Sequence, residues 1–175
     1  MVIDYFKNDW KPNWSKYSYS GWELLNKISN NETILDIGCG YNLFKGRYGD
    51  KLYGIDPAND SADEVISIEK FDADGKQWDV VICLGSLNFG SIEDVEPQVQ
   101  KAVKLTKVGG RLYWRQNPGI GNLFSRKDIS LFPWTIDLNY TWAQKYECTV
   151  IECKWDRPGD NTRIYSEWIK ENEYV

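Results

Sequence analysis

Residues 33–42 read Thr33-Ile34-Leu35-Asp36-Ile37-Gly38-Cys39-Gly40-Tyr41-Asn42, and an irregular stretch to Asp50 leads into Leu52-Tyr53-Gly54-Ile55-Asp56. Ile34 to Ile37 is apolar except for Asp36, as a strand covered on both faces must be. Strand, glycine turn, crossover, second strand and terminal acid together open a parallel α/β sheet. A glycine bend after such a strand turns backbone N–H groups toward a ligand, and the missing side chains let that ligand come close.

Working outward, Gly21 to Ile28 carries Trp22, Leu24, Leu25 and Ile28 at helical spacing before a Ser-Asn-Asn break, which predicts a short helix. Downstream, Val65–Ile68 is a third strand candidate. Only Pro57 to Glu64 separates it from Asp56, so the second crossover helix is short or absent and the helix layer on that face is thin. Trp78 to Leu84 is a central parallel strand, nearly continuous in apolar residues. Ser91-Ile92-Glu93-Asp94 resembles a capping box, and Val95, Val99, Ala102, Val103 and Leu105 repeat at helix spacing. Val108-Gly109-Gly110 ends that helix, with Pro97 in an early turn, and Arg111 to Arg115 is a fifth strand. Asn117 to Trp134 reads as a loop, Asp137 to Tyr146 as a helix. Cys148–Trp155 and Arg163–Trp168 form a last strand pair, antiparallel because a Pro-Gly turn joins them.

The 175 residues suit one domain with a real core and do not suffice for two. The 42% apolar and 27% charged content is globular. With 21 basic and 26 acidic side chains, net −5, the chain is a poor nucleic-acid partner, since phosphate binding needs Lys and Arg in excess. No apolar run approaches the roughly 20 residues of a bilayer span. The N-terminus lacks the basic start and apolar run of a secretory signal, so a cytoplasmic setting is expected. Zero histidines, and four cysteines without a CxxC pair, leave the usual zinc ligand sets unassembled; no metal is expected, and the thiols read as reduced and mostly buried. Histidine-based nucleophile pairs are excluded as well.

Two ligand classes use the glycine device, dinucleotides and S-adenosylmethionine. The dinucleotide fingerprint G-x-G-x-x-G needs a third glycine where Leu43 stands. Asp56, 20 residues beyond Asp36 at the end of the second strand, can accept both ribose hydroxyls in either class.

Leu35-Asp36-Ile37-Gly38-Cys39-Gly40 resembles the first motif of the class I S-adenosylmethionine-dependent methyltransferases. The resemblance continues in order through Asp56, Phe71-Asp72-Ala73, Asp79 to Phe89 and Leu105-Thr106-Lys107-Val108-Gly109-Gly110. It implies a three-layer Rossmann-like methyltransferase fold, a mostly parallel seven-stranded sheet with an antiparallel C-terminal strand pair. It further implies that Asp36 works on the methionine amino group, that Gly38 and Gly40 admit the methionine and ribose, and that Asp72 and the Ala73 N–H contact adenine. The carbonyls at Leu84, Gly85 and Ser86 would take the ammonium. No Asp/Asn-Pro-Pro-Tyr/Phe motif follows the fourth strand, which argues against amino-directed DNA methylation.

Residues 1–22 then form an aromatic cap (Tyr5, Phe6, Trp10, Trp14, Tyr17, Tyr19, Trp22), 33–115 the cofactor half, and 116–175 the substrate side. The implied activity is methyl transfer from S-adenosylmethionine to a small-molecule, glycan-like or peptide acceptor. A non-catalytic S-adenosylmethionine- or nucleotide-binding module and a nucleotide-dependent oxidoreductase stay open as alternatives. Methyl transfer from a sulfonium needs mainly alignment and exclusion of water, worth about 7–11 kcal/mol when well oriented, so histidine is dispensable. Tyr17, Tyr19, Asn88 and Asn117 are the candidates for orienting the acceptor. A second aromatic set between Tyr113 and Tyr146 flanks the expected cleft, so an acceptor with a flat or apolar face is expected, unless these rings simply bury the domain edges. Monomer and homodimer are equally compatible with the sequence.

Overall fold

The computed structural model describes residues 2–118, 129–156 and 162–173. Helix α1 (Val2–Asn8) is followed by two 3-10 turns, Trp14–Lys16 and Trp22–Lys27. The sheet begins with β1 (Ile34–Ile37), whose four residues are all buried. Then come α2 (Lys45–Tyr48), β2 (Leu52–Ile55), β3 (Trp78–Leu84), α3 (Ile92–Lys104), β4 (Thr106–Gln116), α4 (Ile136–Lys145), β5 (Cys148–Asp156) and β6 (Arg163–Lys170). The Ser91–Asp94 capping box opens α3 as the sequence predicts.

The strand order is β2-β1-β3-β4-β6-β5, parallel from β2 through β4 and antiparallel across β4–β6 and β6–β5. Among the described residues the sheet has six strands rather than the expected seven. Val65–Ile68 does not form a strand; its surroundings contribute one isolated bridge, Ile55 to Glu64, and Val65 is exposed. A parallel neighbour needs a crossover of about a dozen residues to bring the chain back to the same end of the sheet. The eight residues after Asp56 are too few.

Side-chain alternation splits the interior into two cores. One face carries Leu35, Ile37, Val81, Cys83, Leu112, Trp114 and Trp168 beneath α3 and α4. The other carries Ile34, Val80, Ile82, Leu84, Tyr113 and Tyr165 beneath Leu24, Leu25, Ile28, Phe44 and Tyr48. Among the described residues the second cover contains no long helix. The β1–β2 crossover, whose only α-helix is the four-residue α2, is held by side chains instead. Asn42, at φ +54°, donates through Nδ2 to the Ser61 carbonyl at 3.1 Å and to Asp63 at 3.3 Å. Asp63 accepts from the Gly54 N–H at 2.8 Å and is ion-paired with Lys45. Gly54 is required there, because a Cβ would lie 2.6 Å from Asn42 Oδ1 and 2.8 Å from Cys39 Sγ.

The second aromatic set resolves into core. Tyr113, Trp114, Phe132, Trp134, Trp142 and Tyr146 are buried, Trp134 donates to the Leu87 carbonyl at 3.0 Å, and Tyr140 faces solvent. These rings fill the interior and do not shape a cleft; Phe124 lies outside the described residues. So does most of the turn between β5 and β6.

Candidate active site

Strand parity decides which chemistry shares a face. Asp36 pairs with Ile82 across β1–β3, and Leu84 with Arg115 across β3–β4. Arg115 pairs with Tyr165, two residues from Arg163 on β6. Asp36, Leu84, Arg115 and Arg163 therefore lie on the face lacking long helices, toward the carboxyl ends of the parallel strands, where open α/β sheets bind ligands. A cavity of about 370 Å³ lies there, its floor running from Gly38, Gly40 and Asp56 past Leu84–Ser86 to Arg115, Asn117 and Arg163.

The bends at the strand ends interlock. Gly38 has φ +73°, and a Cβ on it would stand 2.2 Å from that of Ser86, so the glycine is demanded by both conformation and contact. Asp56 ties the cofactor end together: Oδ2 accepts from the Gly40 N–H at 2.9 Å, and Oδ1 from Ala58 and Asn59 at 2.7 and 3.0 Å. Oδ1 is filled by its two donors, while Oδ2 can accept one further bond, which leaves capacity there for a ligand hydroxyl.

Beneath this turn Asp36 is 4% exposed, and its carboxylate receives no hydrogen bond from the described residues. Burial, with Asp56 adding to it, pushes its pKa up to about 7 against the opposing pull of Arg115. A buried carboxylate without a donor is costly and is relieved by a cation.

Arg115 is buried, with Nη1 donating to the Ser20 carbonyl at 3.0 Å and Nη2 to the Leu84 carbonyl at 2.6 Å. The Leu84 carbonyl, expected to face a ligand ammonium, thus already serves the arginine. The Tyr17 ring lies 4.0 Å from the Arg115 guanidinium, a cation–π contact that holds the cap over the site. The far end of the cap is anchored on Asp156, which is fully buried and accepts the N–H groups of Ser18, Tyr19 and Ser20 at 2.8–3.1 Å, along with the Ser20 hydroxyl. Tyr5, Phe6 and Trp10 line the roof. Trp10 stacks on Tyr41 at 5.9 Å and crowds Gly40, while Phe6 meets Phe89 edge-on at 5.3 Å.

Of the residues expected at the site, Gly38, Gly40, Asp56, Leu84, Gly85, Ser86, Tyr17 and Asn117 line this cavity, with Asp36 beneath it. Four do not. Asp72 is exposed and accepts from the Asp74 N–H at 3.0 Å in a local turn, and Ala73 packs against the core. With the third strand missing, their segment is not carried to the sheet's carboxyl edge. Tyr19 points outward, its ring under Lys154. Asn88 is 1% exposed and clamps the end of β4, donating to the Arg115 carbonyl at 3.3 Å and accepting from the Asn117 N–H at 2.9 Å.

Pro57, Ala58 and Asn59 instead complete the end near Asp56, and Arg115 and Arg163 the opposite end. The first three were signalled by following the strand-end acid directly. The arginines carried no motif, and only strand pairing brings them together.

No family model and no curated protein sequence matches the chain. Solved structures do resemble it. Magnesium protoporphyrin IX methyltransferase from Synechocystis with bound S-adenosylhomocysteine is 14% identical, covering 97% of this chain and 98% of that one at a TM-score of 0.71. The N-methyltransferase NodS from Bradyrhizobium japonicum, also with S-adenosylhomocysteine, is 13% identical over 98% and 97% at 0.68. A 1,6-didemethyltoxoflavin-N1-methyltransferase from Burkholderia thailandensis is 12% identical over 81% and 72% at 0.66. At such identities the likeness is one of fold.

Proposed function

We propose, from the class I S-adenosylmethionine-dependent methyltransferase fold that this chain adopts, that it binds S-adenosylmethionine in the described cavity and transfers its methyl group to a small-molecule, glycan-like or peptide acceptor. The observation that carries this reading is Asp36, a buried carboxylate with no donor among the described residues, under a glycine bend and one crossover from Asp56. An amino acid ammonium on Asp36 and a ribose hydroxyl on the open site of Asp56 Oδ2 account for both carboxylates. The cofactor supplies an activated methyl group; the chain aligns the acceptor and excludes water under the aromatic roof. Tyr17 and Asn117 remain the orienting candidates, and a flat portion of the acceptor fits against Phe6, Trp10 and Phe89.

Titration calorimetry with S-adenosylmethionine, S-adenosylhomocysteine and NAD tests this. The first two are expected to bind and NAD not; no heat from either sulfur nucleoside, or tight NAD binding, would overturn it. Binding with no S-adenosylhomocysteine released across an acceptor panel would favour the non-catalytic module.

A further inference from the structure

Resting on the methyl-transfer reading, we propose that the acceptor is a small anion bearing a carboxylate or phosphate, bound by Arg163 and the cationic cap residues, with its N–H or O–H nucleophile received by Asn117.

The chain as a whole is acidic, net −5, yet the cavity inverts that balance: among the described residues Lys11, Lys16, Arg115 and Arg163 line it against one acid, Asp56. The two arginines are held close by sheet pairing, and neither position is adjustable without breaking β4 or β6. Burial lowers the Arg115 pKa and Tyr17 opposes this; the nearby Arg163 charge lowers it further, with Asp156 and Asp36 acting against it. Asp156 pairs with Arg163 across β5–β6, but its carboxylate is occupied by the Ser18–Ser20 segment. Among the described residues Arg163 makes no ion pair, and its Nη1 donates to the Thr162 carbonyl at 2.9 Å. A guanidinium that lines the cavity and makes no ion pair among the described residues attracts an anion, and its planar fork suits carboxylate and phosphate.

An independent observation comes from Asn117. It is 6% exposed, lines the cavity, and its Oδ1 has no hydrogen-bond partner. An unmet buried acceptor costs about 1–3 kcal/mol and is satisfied by a ligand N–H or O–H. Asn117 follows β4, between the cofactor end over β1 to β3 and Arg163 on β6. The acceptor is therefore polarised, with its anion toward β6 and its nucleophile toward the cofactor. In the step itself the nucleophile's lone pair forms the new bond to the methyl carbon, sulfur keeps the electron pair of the bond that breaks, and the nucleophile's proton passes to water.

The test uses the full chain at constant ionic strength. S-adenosylhomocysteine is titrated first; inorganic phosphate and succinate are then titrated into the saturated complex, for the native chain, Arg163→Gln and Arg163→Lys. Saturable anion binding is expected in the native complex, weakened about tenfold or more in Arg163→Gln, a charge-assisted bond's worth. Arg163→Lys should keep part of it, and S-adenosylhomocysteine affinity should stay within about twofold throughout. Two results would overturn the proposal: S-adenosylhomocysteine binding with no saturable anion binding, or Arg163→Gln weakening S-adenosylhomocysteine itself, which would assign Arg163 to the methionine carboxylate. Failure of S-adenosylhomocysteine to bind strikes the methyl-transfer reading instead, while Arg163-dependent anion binding in its absence would leave the anion site standing alone.

Discussion

The N–H of Gly40 donates to Asp56 Oδ2 at 2.9 Å, so the bend after β1 and the acid ending β2 form one hydrogen-bonded unit. Asp56 thereby has two tasks separable by substitution. Asp56→Ala should abolish S-adenosylmethionine binding in calorimetry and lower the unfolding free energy by roughly 1–3 kcal/mol, since three backbone N–H groups lose their acceptor. Asp56→Asn, retaining one acceptor oxygen, should recover much of the stability and little of the binding.

Asp36 makes both stability and affinity depend on pH. Its folded-state pKa of about 7 lies above the ordinary carboxylate value, so the fold binds its proton more tightly than the unfolded chain does. Its contribution to stability is therefore full below about pH 4 and is lost as pH rises through 7. Denaturant midpoints at pH 5 and pH 8 should fall further in the native chain than in Asp36→Asn. Affinity for the cofactor's ammonium should run the other way, strengthening through pH 7, and that rise should vanish in Asp36→Asn.

Gly38→Ala should cost more than about 2 kcal/mol, combining a left-handed φ with a 2.2 Å approach to Ser86. Pairing it with Ser86→Gly should restore the steric part alone, which a double-mutant cycle on thermal unfolding would measure.

Asp156→Ala leaves the N–H groups of Ser18, Tyr19 and Ser20 without their acceptor and releases the cap from β5. Limited proteolysis within residues 2–17 should speed up markedly while β1–β4 stay protected. An unchanged cleavage rate would show that the Tyr17–Arg115 contact holds the cap unaided.

Trp114→Ala should cost about 3–5 kcal/mol in thermal unfolding, because its ring is 1% exposed between Trp134 and Trp168. Affinity for S-adenosylhomocysteine, measured well below the melting range, should be unchanged.

Local pattern alone determined the buried four-residue β1, the glycine bend, the capped α3 and the reversed pair β6–β5, because each follows from side-chain period, turn chemistry or capping within a few residues. Leu35-Asp36-Ile37-Gly38-Cys39-Gly40 and Asp56 were legible for that reason. Tertiary structure decided the rest. Val65–Ile68 has strand composition but no crossover long enough to dock it, so Asp72 and Ala73 stay away from the site. The rings at Trp114, Trp134 and Trp142 could have lined a cleft or filled a core, and only the packing of α4 on the sheet resolves this. Arg115 and Arg163 stand far apart along the chain and meet through the β4–β6 register, since a strand's charge acquires its neighbours from pairing rather than from sequence.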